Sequence, residues 1–268
     1  MTRPKRSLSQ NFLVDHNIRR KLVAELGAGP GDEVLEVGPG HGELSELLVG
    51  EVARLVLVEK DDRLAPELAS RWADRDDVVV VHGDAMEVDL ARLPTAGLPL
   101  RIISNVPYSI TSPLLFRLLD IGASERIVVL VQEEVARRIT ANPGGKEYGA
   151  LTVGIQTQAR AEYGFGVGRN VFRPVPRVDS AAVVLTPFPP RAPGEQTRIR
   201  NLARAAFSRR RKQIRTILRT APEYELDVSA AESLLADLGI APTARPESLS
   251  PDVFVELARR LPGAAPPS

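Results

Sequence analysis

Five short runs of branched apolar residues limit what this chain can fold into: Val34–Gly38, Arg54–Glu59, Val78–Val81, Arg101–Ser104 and Ile127–Val131. They are nearly continuous in apolar character rather than alternating, which is the pattern of parallel strands covered on both faces. Helical periodicity fills the gaps, at 43–50, 62–73, 112–121 and 132–141. This β-α-β-α rhythm specifies an α/β fold with an open, doubly wound, Rossmann-like sheet. Asp179–Thr186 reads as a late strand near the sheet edge.

The segment Pro187–Gly194 holds four prolines and a glycine, which makes it the natural linker. Beyond it the pattern is helical. Thr197–Thr220 reads as one long basic helix, Ser229–Leu238 as a second with Ser229 as N-cap, and Pro251–Arg260 as a third with Ser250 as N-cap. The expected organisation is therefore a large domain over 1–187 and a small all-helical C-terminal domain over 188–268.

Composition excludes several functions. With no cysteine there is no thiolate zinc site, iron–sulfur cluster or cysteine nucleophile. The three histidines, His16, His41 and His82, do not pair at metal spacing, so no metal is expected. No uncharged apolar stretch is long enough to span a membrane, and the N-terminal MTRPKRSLSQ lacks a secretory apolar core. A cytoplasmic protein without a membrane partner is expected. The net charge of +1 conceals an asymmetry: between Arg198 and Arg219 there are nine bases and no acid, leaving 26 bases against 34 acids elsewhere. Such a cluster suits either a polyanion or a solvated helix face.

Glu36-Val-Gly-Pro-Gly-His-Gly42 follows the first strand. Glycines there let a ligand approach the backbone at a strand's carboxyl end. Glu43 occupies the last glycine position of the dinucleotide fingerprint, and no Lys-Ser/Thr follows, so a nucleoside without a pyrophosphate fits better. Glu59 ends the second strand, where an acid accepts from ribose hydroxyls. Asp84, after the third strand, is placed to accept from an exocyclic amine. Asn105-Val106-Pro107-Tyr108 follows the fourth strand. The Asn105 side chain and the Val106 carbonyl offer two acceptors for an amine's protons. Pro107 biases the Val106 backbone away from the α region, and Tyr108 offers a face on which a flipped base stacks.

Taken in order, the motifs resemble those of the ribosomal RNA adenine N6,N6-dimethyltransferases of the small-subunit (16S) type: Ser9-Gln-Asn-Phe-Leu13, Glu36–Gly40, Asn105–Tyr108, Thr111-Ser-Pro-Leu-Leu-Phe116, Val131–Ala136, Tyr148-Gly-Ala-Leu151, Phe172–Ser180 and Phe207–Lys212. Two positions depart from the family's Asn-Leu-Pro-Tyr-Asn, with Val106 for Leu and Ser109 for the second Asn. The resemblance implies S-adenosylmethionine as methyl donor, held by Asn11, Leu13, Gly38, Glu59, Asp84 and Asn105. It implies catalysis at Asn105, Val106, Pro107 and Tyr108, with Phe172 as a second aromatic contact to the target base; by sequence alone Phe172 fits a core position equally, and its flanking prolines favour a loop. Arg209, Arg210, Arg211, Lys212 and Arg215 would meet RNA, and the partner would be 16S rRNA in a small-subunit precursor, bound by a monomer. A large-subunit rRNA methyltransferase, a non-catalytic assembly factor and a small-molecule methyltransferase are the competing readings.

Overall fold

The computed structural model describes residues 11–105 and 108–261. The strands are β1 (Phe12–Leu13), β2 (Glu33–Val37), β3 (Arg54–Glu59), β4 (Val78–His82), β5 (Leu100–Ser104), β6 (Ser124–Gln132), β7 (Ala159–Val167), β8 (Phe172–Arg173) and β9 (Ser180–Pro187). The helices are α1 (His16–Leu26), α2 (Leu64–Arg71), α3 (Thr111–Asp120), α4 (Glu133–Ile139), α5 (Ala150–Gln156), α6 (Glu195–Ser208), α7 (Ile214–Thr220), α8 (Val228–Asp237) and α9 (Pro251–Arg260). The main sheet runs β4-β3-β2-β5-β6-β9-β7, and β1 pairs separately with β8.

From β4 across to β6 all pairings are parallel, whereas β9 runs antiparallel between β6 and β7. Every residue of the central β2 is buried, its two glutamates Glu33 and Glu36 included; β4, at the edge, is only half-buried. The order reverses on either side of β2, the topological switch point where α/β sheets bind ligands.

The chain divides into two compact units. One holds residues 1–136 and 159–188. The other holds residues 137–158 and 189–268. The expected division at 187/188 is corrected in one respect: residues 137–158, which run between two strands, belong to the helical unit. They do so because Tyr148 and Val153 are fully buried in that unit's core, among Ile199, Leu202, Ile217 and Phe254. The Tyr148 hydroxyl donates to the Leu249 carbonyl at 2.7 Å, and its ring meets Phe207 edge-on at 5.8 Å.

Further differences follow from context. Residues 43–50 form only a 3-10 turn at Ser45–Leu47, bracketed by Gly42 and Gly50, both with φ above +80°. The single basic helix expected at 197–220 is two helices, α6 and α7. Arg209 leaves helical geometry at φ −120°, and the Ile214 amide donates to the Ala244 carbonyl instead. An unbroken helix of that length would extend about 36 Å, whereas the break lets Ile214, Ile217 and Leu218 bury with Ile199, Leu202, Ala203 and Ala206 in one core. The N-cap of α8 is Asp227, whose carboxylate accepts from the Ala230 amide, not Ser229. Ser250 caps α9 with Pro251 at its first position. The late strand β9 is second from the edge, because β7 covers it. β7 is mostly exposed along its length, so it carries no apolar run to betray it.

Candidate active site

A pocket opens at the carboxyl ends of β2, β3, β4 and β5. Val37 and Gly38, Val58 and Glu59, Gly83 to Ala85, and Asn105 contribute from successive strands. Asn11 and Phe12 cover it from β1 and the residue before, and Tyr108, Ser109 and Ile110 close the end beside Asn105.

The glycine loop owes its path to backbone that other residues adopt poorly. Gly40 has φ +62°, and a Cβ there would stand 3.1 Å from the Phe12 ring and 3.3 Å from a Glu43 oxygen. Gly42 has φ +85°, and its Cβ would strike Trp72 at 2.8 Å. The Phe12 ring packs against His41 at 4.5 Å, so β1 lies directly over the loop.

Carboxylates surround this loop. Glu59 is 5% exposed. One of its oxygens accepts from the Gly40 amide at 3.0 Å and the other from the Asp61 amide at 2.8 Å. Burial raises its pKa against the lowering effect of those bonds. Glu59 therefore holds the loop in place and keeps free lone pairs for a ligand. Glu43 accepts from the His41 amide at 3.1 Å, and burial raises its pKa as well. Glu36, 2% exposed, takes a 2.6 Å hydrogen bond from the Ser45 hydroxyl. Burial pushes its carboxyl up to about 8, with Glu43 and Glu59 adding repulsion. Asp84 differs. It pairs with Lys60 and accepts from the Met86 amide at 2.8 Å, and the Lys60 hydrogen bond is the main reason its pKa falls.

At the far end, the Ser104 hydroxyl donates to the Val37 carbonyl at 3.0 Å, tying the base of Asn105 to β2. The Tyr108 hydroxyl and the Ser180 hydroxyl are 2.7 Å apart, and burial raises the Tyr108 pKa.

The structure thus brings Asn11, Gly38, Glu59, Asp84, Asn105 and Tyr108 to one pocket. Val106 and Pro107 lie outside the described residues. Two expectations are corrected. Leu13 is 1% exposed in the core and does not line the pocket. Neighbours on a strand face opposite sides, so Phe12 takes the pocket side. Phe172 is not on a loop facing the base: it lies in β8, fully buried with Leu13, Leu130 and Val184. Sequence reasoning also missed Lys60, Glu43, Ser109 and Ile110 as pocket residues. Each lies close in the chain to a residue it did select, and only the fold reveals which side chains turn inward.

The five cations expected to meet RNA do not behave alike. Arg210 donates to the carbonyls of Lys146 at 3.0 Å and Gly145 at 3.1 Å and faces Glu247. Arg215 pairs with Glu232 at 2.7 Å. Arg209 turns back to the Ala205 carbonyl at 3.5 Å. Arg211 and Lys212 are exposed. The broad arc of cations is therefore a mixture of internal clasps and exposed side chains. Among the described residues, no group of three or more metal-ligating side chains comes together.

A family model described as "Ribosomal RNA adenine dimethylase" matches residues 1–259. The chain belongs to this family. Membership makes it an S-adenosylmethionine-dependent rRNA adenine dimethyltransferase, in agreement with the strand-end pocket. One relative, the "Ribosomal RNA small subunit methyltransferase A" of Pseudomonas aeruginosa, is 38% identical over 262 residues, covering 97% of this chain and 95% of its own. Among solved structures, a dimethyladenosine transferase from Plasmodium falciparum superposes with a TM-score of 0.76 at 24% identity, covering 92% of this chain and 95% of its own. The 23S rRNA methyltransferase ErmE does so at 0.70 and 27%, covering 94% and 99%. The expected Rossmann-like methyltransferase sheet with a helical C-terminal region is thereby borne out.

Proposed function

We propose that this chain dimethylates N6 of two adjacent adenosines in a loop near the 3' end of 16S rRNA, on a precursor of the small ribosomal subunit, acting as a monomer in the cytoplasm. The observation that carries this reading is Asn105 at one end of a pocket whose other walls are the glycine loop and the strand-end acids Glu59 and Asp84. The small-subunit name of the relative supports the choice of RNA. Among the described residues no helix is long and apolar enough to cross a membrane.

The donor set suits S-adenosylmethionine. Acceptors stand at two consecutive strand ends, and Lys60 is the cation lining the pocket beside Glu43, Glu59 and Asp84. When bound, S-adenosylmethionine supplies an electrophilic methyl group on a positively charged sulfur. Asn11 and Gly38 would flank its methionine portion, Glu59 would take the ribose hydroxyls and Asp84 the adenine amine. Arg211 and Lys212 of the helical unit, both exposed, provide phosphate contacts.

Adenine N6 is a weak nucleophile, because its lone pair is delocalised into the ring. The Asn105 side-chain oxygen accepts a hydrogen bond from one amine N–H and favours a pyramidal nitrogen; the Val106 carbonyl is the acceptor proposed for the other N–H. Tyr108 stacks on the extruded base, with its ring fixed by Ser180. Alkylation makes the nitrogen acidic, so its proton leaves to water without a strong base.

Methylation assays on immature small subunits, large-subunit RNA and free adenosine test this reading. Incorporation of two dimethyladenosines in the small-subunit RNA alone is expected. Incorporation confined to large-subunit RNA would overturn it.

A further inference from the structure

We propose that the segment Arg173–Val178, with Val14 beside it, is a contact surface for the single-stranded RNA that flanks the target adenosine. The inference rests on the pocket being an adenosine methylation site, and it adds a second RNA contact within the catalytic unit.

Both ends of the segment are tied to pocket residues. Arg173 pairs in register with Phe12, which covers the glycine loop. At the other end Ser180, two residues past Val178, holds the Tyr108 hydroxyl at 2.7 Å. The segment is therefore part of the pocket's rim. Local bonds set its shape: the Arg169 guanidinium donates to the Arg177 carbonyl at 3.1 Å, and the Arg169 amide to Asp179 at 2.9 Å. Arg173 folds back onto the carbonyls of Asn170 and Phe172, each at 2.8 Å.

Two observations show what this rim is suited to meet. Arg173 and Arg177 are exposed, and no acid pairs with either among the described residues. The valines Val14, Val175 and Val178 are 42%, 49% and 44% exposed; the last two share the segment with Arg173 and Arg177, and the Val14 amide donates to the Val171 carbonyl just before it at 2.8 Å. The pocket they border is acidic. Glu43, Glu59 and Asp84 line it, and the ammonium of Lys60 is already engaged by Asp84. An adenosine entering the pocket brings its phosphodiesters to the mouth, where those carboxylates repel them. Cations at the rim reverse that repulsion, and the valines cover ribose and base faces of an unpaired strand. Paired RNA would keep those faces stacked inside the duplex.

The test uses the full chain and an RNA hairpin whose loop carries two adjacent adenosines, with affinity measured across a salt series. Arg177→Glu is expected to weaken binding at least about fivefold and to flatten the log–log salt slope by about 0.7 for each phosphate it no longer neutralises. Arg177→Lys should retain both. Val175→Ser/Val178→Ser should lower affinity with the slope unchanged. S-adenosylmethionine affinity and melting temperature should match wild type in all. Arg160→Glu makes the same charge change at the opposite end of β7 from the residue paired with Ser180, and should leave the slope intact. Wild-type affinity and slope in Arg177→Glu, or an equal loss in Arg160→Glu, would overturn the proposal. If the wild-type chain binds the hairpin but methylates no adenosine in any substrate, the functional reading fails while the rim contact is still judged by the same slopes.

Discussion

The catalytic unit and the helical unit carry their chemistry in different ways. In the first, nearly every pocket residue stands at a strand end or in the short β1, and backbone hydrogen bonds such as Gly40 to Glu59 fix it. In the second, the candidate function is spread over a cluster of cations. Some of these clasp their own unit, as Arg210 does the loop at 145–146, while Arg211 and Lys212 stay exposed. Positioning a methyl acceptor requires geometry within a fraction of an ångström. Neutralising phosphates requires only charge near a surface, so a broken helix serves as well as a continuous one.

The largest effect belongs to Asn105→Ala, which removes the acceptor proposed for the reacting amine. Single-turnover methylation should fall by about 100-fold or more, in the range of a missing transition-state hydrogen bond, while RNA affinity is largely spared. Near wild-type turnover would remove Asn105 from the chemistry.

Glu59→Ala should weaken S-adenosylmethionine binding by about 1.5–3 kcal/mol, the worth of charge-assisted hydrogen bonds, and should also loosen the Gly40 amide it holds. Calorimetric titration with unchanged affinity would contradict its place on the ribose.

Glu36 makes a pH prediction. Its folded pKa, about 8, lies above the ordinary carboxylate value of 4.5. Between these values the native state keeps a proton that the unfolded chain has released, so stability falls as pH rises through that window. The slope from this one group is at most about 1.4 kcal/mol per pH unit. Glu36→Gln should remove this contribution and flatten the fall. Denaturation curves at several pH values with the slope unchanged would refute it.

The smallest effects separate the cations of the helical unit. Arg211→Glu/Lys212→Glu should leave the melting temperature alone and reduce the salt slope of subunit binding by about 0.7–0.9 for each phosphate left without its cation. Arg210→Ala should instead lower stability by about 1 kcal/mol, because its bonds to the two carbonyls disappear. If Arg211→Ala destabilises as much as Arg210→Ala, the division between clasps and free cations is wrong.

Legibility in the sequence tracked burial on both faces. The five parallel strands were readable because most of their buried positions are apolar and branched, and their ends then placed Gly38, Glu59, Asp84 and Asn105. β7 was not readable, since an exposed edge strand needs no apolar run. The break between α6 and α7 was invisible too. Their apolar residues keep one helical face whether or not the helix continues, and the hydrogen bond from Ile214 to Ala244 that marks the break is long-range.

By itself, then, the chain's order of apolar runs, glycines and strand-end acids determined an α/β methyltransferase sheet and the motifs around its pocket, because those features follow from local backbone and burial requirements. Only the tertiary structure decided that Phe12 rather than Leu13 faces the pocket, that Phe172 packs in the core, that residues 137–158 join the helical unit, and that Arg210 is a clasp. Each of these depends on contacts between residues distant in sequence, where several side chains compete for one buried space and spacing along the chain carries no record of the winner.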